Sequence, residues 1–202
     1  MAIWDDWEMH YRQLGLDARN ICKDGIVDEE EFGKVNRRVL FVLKETNDAP
    51  GLDLREFLAQ GPKYGCWHVI ARWAVGLLEG FPSHNEITID RMKSALRRVA
   101  VINLKKLTGK EVADPSVVGA FALRDRRLLL QQIMEIQPHL IIGCGTFETL
   151  EWLLELDVEP NNPSGNPVRH AQTGAWVVPI RHPSRANSAH YEELKEKCSA
   201  IQ

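Results

Sequence analysis

The sequence predicts an α/β protein of three layers, with helices on both faces of a central, mostly parallel four-stranded sheet. Three observations predict it. Short apolar runs at 39–43, 99–102, 140–142 and 175–180 have the length and side chains of strands buried in a sheet. Segments with helical spacing of apolar residues separate these runs, and strands alternating with helices imply parallel pairing. A chain of 202 residues supports one domain with a substantial core and is short for two, so a single domain over 1–202 is expected.

The elements follow in chain order. The acidic run Asp28 to Glu31 reads as a solvated segment ahead of Arg37, Arg38 and the first strand, Val39-Leu40-Phe41-Val42-Leu43. Asn47-Asp48-Ala49-Pro50-Gly51 is a turn-rich loop, and Asp53 caps a short helix through Ala59. From Cys66 to Leu78, the residues Val69, Ile70, Trp73, Ala74, Leu77 and Leu78 recur on one wide helical face, which Gly80-Phe81-Pro82 ends. The second strand, Val99-Ala100-Val101-Ile102, leads directly to Asn103. A helix from about 121 to 137 groups Leu129, Ile133 and Ile136, with Leu130 and Met134 beside them, and Pro138 stops it. Leu140-Ile141-Ile142 is the third strand, with its turn at Gly143-Cys144-Gly145, and Phe147, Leu150, Leu153 and Leu154 mark the next helix. The Asn-, Pro- and Gly-rich stretch from Asn161 to Pro167 is a loop. The last strand, 175–180, is expected to be broken by Pro179, and a terminal helix runs from about 188 to 198. Trp67, Trp73, Trp152 and Trp176 read as packing residues.

Composition excludes several classes. Hydrophobic residues at 44% and charged residues at 26% are globular proportions, not those of a disordered or fibrous chain. A formal charge of −3 provides no global basic field, so contact with nucleic acid requires a local basic patch. The amino terminus lacks the basic-then-apolar order of a signal peptide, and no apolar run approaches the roughly 20 residues that span a bilayer. A cytoplasmic protein without membrane contact is the expectation. Cys22, Cys66, Cys144 and Cys198 lie far apart, so free, mostly buried thiols are expected, with no metal site and no cofactor.

Ligands of an open parallel sheet bind beyond the carboxyl ends of its strands. Those ends carry Lys44-Glu45-Thr46-Asn47, then Asn103 with Lys105 and Lys106, then Thr146, then His182-Pro183-Ser184-Arg185. Two phosphate motifs fail. Gly109-Lys110 has Leu104 where a phosphate loop needs its first glycine, and Glu111 follows the lysine. After Gly143-Cys144-Gly145, Glu148 occupies the third small position of a dinucleotide fingerprint and would repel a pyrophosphate.

Four segments in order, a strand into an acidic loop, a strand into Asn103, the stretch from Gln137 to Gly145, and a last strand into His182-Pro183-Ser184, resemble the uracil-DNA glycosylase superfamily over roughly 38–191. The resemblance implies a DNA-repair hydrolase that flips a uracil or other deaminated base into a pocket and cleaves its bond to the sugar. It implies Glu45 as the carboxylate near the attacking water and His182 as the imidazole on a base oxygen. Asn103 is implied as the amide reading the base edge and Phe57 as the stacking ring, with Ser184 and Arg185 as phosphate contacts. The implied partner is DNA or single-stranded nucleic acid, and His182-Pro183-Ser184-Arg185-Ala186-Asn187 is nearest the branch selective for single strands.

The sequence departs from the family pattern at Lys44, which replaces a glycine, and at Thr46, where another branch has an aspartate. The leucine wedge after the His-Pro-Ser segment is missing, and the cysteine spacing does not match the iron–sulfur branch. Each candidate also has a plain alternative. Glu45 can pair with Lys44, Asn103 can satisfy its own turn, His182 can be a turn residue, and Phe57 can be core. Lys105, Lys106, Arg181 and Arg185 are either a phosphate patch or solvated charges. Two functions stay open: a base-excising glycosylase, and a catalytically silent module that binds a nucleotide or single-stranded nucleic acid on the same edge.

Overall fold

The structure, a computed structural model, describes residues 2–159 and 165–201. Its elements are α1 (Ala2–Gln13), β1 (Gly25–Ile26), α2 (Glu29–Gly33), β2 (Val39–Leu43), α3 (Leu54–Ala59), α4 (Gly65–Glu79), α5 (Ile89–Arg97), β3 (Ala100–Asn103), α6 (Pro115–Arg124), α7 (Arg126–Ile136), β4 (Leu140–Cys144), α8 (Phe147–Leu153), β5 (Val168–Arg169), β6 (Trp176–Ile180) and α9 (Ser188–Ser199). Among the described residues the sheet has six strands in the order β1-β3-β2-β4-β6-β5. The four expected strands form its parallel centre, β3-β2-β4-β6. Two-residue antiparallel strands, β1 and β5, add one edge each and make the sheet mixed. Two residues carry no readable periodicity, which is why a four-stranded sheet was all the pattern supported.

Strand alternation divides the core in two. Val39, Phe41, Leu43, Val99, Val101, Cys144 and Ile180 face the layer of α3, α4, α5 and α9. Leu40, Val42, Ala100, Ile102, Ile141 and Val177 face α1, α6, α7 and α8. Helices therefore cover both faces, and β2 is buried at every position.

Several boundaries correct the sequence reading. The single helix expected over 121–137 is two, α6 and α7, separated at Asp125. That carboxylate is buried and held by Tyr11 Oη at 2.9 Å, His10 Nε2 at 2.9 Å and the Arg124 guanidinium at 2.7 Å, so tertiary bonds fix the break. Met134 is exposed on α7, and Trp152 is 38% exposed on α8, not packed. Pro179 does not interrupt β6. It pairs in register with Gly143, while the β5 side of the sheet reaches only Trp176 and Val177, so the missing N–H costs no ladder bond on that side. Of the expected loop 161–167, residues 161–164 lie outside the described residues and 165–167 have no regular structure.

The topology selects an edge. After β2 the chain goes to β3 on one side of it and then returns to β4 on the other, so the connections part beyond the carboxyl ends of β2 and β4. Such a switch point is where open α/β sheets place ligands.

Candidate functional site

The site is built from four strand ends. Pairing of β2 with β3 continues past both strands, with Leu104 N–H donating to Leu43 O at 2.9 Å and Lys105 N–H to Lys44 O at 3.0 Å. Gly109 N–H then donates to Thr46 O at 2.7 Å, which curls 104–109 alongside 44–47. This places Lys105, not Lys44, on Glu45. The Lys105 ammonium is ion-paired to the Glu45 carboxylate, donates to Thr108 O at 3.3 Å and sits 5.2 Å from the centre of the Phe121 ring. The Glu45 side chain is only 4% exposed. Its carboxylate lies against Gly109, where a β-carbon would collide with it. Thr46 is occupied structurally, its hydroxyl donating to Cys22 Sγ at 2.9 Å.

Asn103 ends β3 at 1% exposure, two residues beyond Val101 and therefore on the α3/α4/α5 face. Its backbone N–H donates to Asp24 Oδ2 at 2.8 Å. Its side-chain Nδ2 is buried and has no hydrogen-bond partner among the described residues. Under the Asn103 peptide, Asp24 also accepts from Lys106 Nζ at 2.7 and 3.0 Å and from Gln132 Nε2 at 2.9 Å. Lys106 is wholly buried, 5.2 Å from the Trp7 ring centre and 5.8 Å from that of Trp4. Burial pushes its ammonium below the ordinary lysine range, and Asp24 opposes that shift. Neither Lys105 nor Lys106 is a solvated charge or an exposed phosphate contact.

His182 lies just past β6 and caps the short 3₁₀ turn Pro183–Arg185. Its Nδ1 accepts from Ser184 N–H at 3.3 Å and is 2.8 Å from Ser184 Oγ. Burial, with the charges of Lys44 and Arg185, lowers its pKa to about 4. The ring is therefore neutral at pH 7, and because Nδ1 is an acceptor the proton resides on Nε2. Gly145, at φ +65°, donates its N–H to Ile180 O at 2.8 Å, and a β-carbon there would meet His182 Cβ at 3.2 Å. The close approach of β4's turn to His182 thus depends on glycine. Thr146 Oγ1 donates to Val42 O at 3.0 Å and ties the same turn to β2.

Ser184 and Arg185 are exposed beside His182, and so is Arg181. Phe57 packs against the core of the α3/α4/α5 layer. Its ring stacks on Tyr64 at 5.9 Å with an 11° interplanar angle and meets Trp67 edge-on at 6.3 Å, while Lys63 Nζ sits 5.1 Å from its centre.

The structure thus puts Glu45, Asn103 and His182 at the carboxyl edge of β2, β3 and β6, and the charge of Lys44 contributes to the lowered pKa of His182. Sequence reasoning missed Asp24, the residue that holds the Asn103 peptide. A lone Asp between Cys22-Lys23 and Gly25 gives no periodic signal, and only the doubled Lys105-Lys106 at a strand end hints at a buried counter-ion.

Among the described residues no group of three or more His, Cys, Asp and Glu side chains is placed to hold a metal ion, and no helix is long and apolar enough to cross a membrane. Compared with protein-family models and with curated proteins, the chain matches none.

Proposed function

We propose that the carboxyl edge of the sheet binds one unpaired nucleobase, uracil or another deaminated base, and that the chain hydrolyses its N-glycosidic bond as a divergent member of the uracil-DNA glycosylase superfamily. The observation that carries this reading is the Asn103 amide. A buried, unpartnered donor costs free energy of order 1–3 kcal/mol. One fixed at a strand end beside the switch point is best explained by a ligand that supplies the missing acceptor. A pyrimidine carbonyl next to a ring N–H matches an amide, which has an acceptor and two donors.

The remaining residues divide the chemistry. Water attacks the sugar C1′, the electron pair of the C1′–N bond leaves with the base, and His182 Nε2–H donates to the base oxygen on which negative charge develops. A neutral imidazole is a suitable donor because it keeps its proton while lowering the energy of the anion. Glu45 takes the proton of the water and favours the cationic sugar. Ser184 and Arg185 hold the adjoining phosphate, and the positive potential of Lys44 and Arg185 around His182 supports both the departing anion and the strand. The parallel order of β3, β2, β4 and β6, with His182-Pro183-Ser184 after the last of them, supports the family reading of the fold.

A second reading, a silent base-binding module, is favoured by the Glu45–Lys105 ion pair, which neutralises the carboxylate and leaves it nearly inaccessible. One assay separates the two. The protein is incubated with labelled single- and double-stranded oligonucleotides containing uracil, hypoxanthine or xanthine, and abasic sites are then cleaved with alkali. Hydrolysis predicts base-dependent strand scission, and binding with no scission supports the silent module. Neither binding nor scission on any substrate overturns both.

A further inference from the structure

A cavity of about 110 Å³ lies between α4 and the start of α9, with Arg72, His84, Ala186, Asn187, Ser188 and Tyr191 in its walls. It adjoins the His182–Arg185 turn, since Ala186 is the next residue along the chain. At about 10–15 Å³ per water, it has room for several waters or one tetrahedral oxyanion. Its polar lining is cationic or neutral, with Arg72, His84, Asn187 and Ser188 and no carboxylate.

Arg72 is the unexplained group. Its Nε is buried with no hydrogen-bond partner among the described residues. The acidic residue further along the same helix, Glu79, is taken by Arg91 at 2.7 Å and by Arg98, so it does not serve Arg72. The other wall is already satisfied. Tyr191 Oη donates to Pro82 O at 2.8 Å, and its ring meets His84 edge-on at 5.2 Å. An arginine whose Nε has no partner among the described residues, in the wall of a small cavity with no carboxylate in its lining, matches the chemistry of a phosphate.

We infer that this cavity is a phosphate subsite, in which Arg72, assisted by His84 and Ser188, holds a backbone phosphate of a single-stranded nucleic acid whose neighbouring nucleotide occupies the Asn103–His182 edge. The assignment of the strand rests on the base-binding reading; the anion site itself does not. A phosphate held by Arg72 would extend the contact made by Ser184 and Arg185, and this succession of local contacts replaces the global basic field that a charge of −3 denies.

Two measurements test it on the full chain. In the first, inorganic phosphate is titrated into protein carrying ¹⁵N-arginine. One Nε–H resonance, absent from the spectrum of Arg72→Met, should shift saturably, and chloride at equal ionic strength should not move it. No shift overturns the subsite. In the second, binding of an uncleavable single-stranded oligonucleotide is followed against salt. Arg72→Met should reduce the slope of log K against log salt by about 0.7, the value for one phosphate contact on a single strand. A phosphate-dependent shift with an unchanged slope overturns the strand assignment. A reduced slope in a protein that excises and distinguishes no base upholds the subsite while the base-binding reading fails.

Discussion

Glu45→Gln is expected to lower single-turnover base excision by roughly 100-fold or more, the usual contribution of a positioned general base. Gln keeps the size that fits against Gly109 and an oxygen for Lys105, but it neither takes a proton from water nor favours the cationic sugar. The ion pair sets the control. Removing Glu45's charge leaves the Lys105 ammonium without its counter-ion, so some loss of stability accompanies the loss of chemistry. Lys105 retains Thr108 O and the Phe121 face, which limits that loss. Adding Lys105→Met removes the orphaned charge, and excision should remain low in the double variant although its melting temperature recovers. Excision within a few-fold of wild type in Glu45→Gln would make Glu45 only the structural partner of Lys105.

The second large effect falls on stability. Asp24→Ala is expected to destabilise the fold by about 3–5 kcal/mol, because breaking a buried pair from one side strands the other charge. Lys106 and Asp24 both have side chains with no solvent exposure. The substitution also deprives the Asn103 N–H of its acceptor and leaves Gln132 Nε2 only the main-chain O of Asp24, at 3.3 Å. Asp24→Leu combined with Lys106→Met should recover most of the loss, since a well-packed apolar pair replaces a buried ion pair at little or no cost. Urea unfolding of the three proteins measures this. Equal losses in Asp24→Ala and in the double variant would mean that the hydrogen bonds to Asn103 and Gln132, not the stranded charge, dominate.

Much of the architecture was legible because it depends on local pattern. Apolar runs such as Val39 to Leu43 announce strands buried on both faces, and the four found this way are the four parallel strands. Strand alternation likewise assigns Asn103 the face of Val101. His182's contact with Ser184 spans two residues, so the tripeptide carries it.

What was not legible depends on distant residues. Glu45 pairs with Lys105, 60 positions away, and not with its neighbour Lys44, because the loop after β3 curls along the loop after β2. Asp125 divides a helical pattern through bonds to α1, and Asp24 reaches Lys106 and Gln132 across 82 and 108 positions. The amphipathic α5 gives a weak pattern because its buried set, Met92, Ala95 and Leu96, is short and interspersed with charge.

That the edge reads a base through Asn103 is tested most directly by changing the amide's donors to acceptors. Uracil presents an acceptor where cytosine presents an amino donor, and a site built on such bonds rejects the wrong partner strongly because the mismatch buries unpaired polar groups. Binding of single-stranded oligonucleotides containing one uracil or one cytosine is measured for the wild type and for Asn103→Asp. The wild type is expected to prefer uracil, and the variant to weaken uracil and shift the ratio toward cytosine. A ratio unchanged by the substitution would contradict it and leave Asn103 a residue that merely supports its turn.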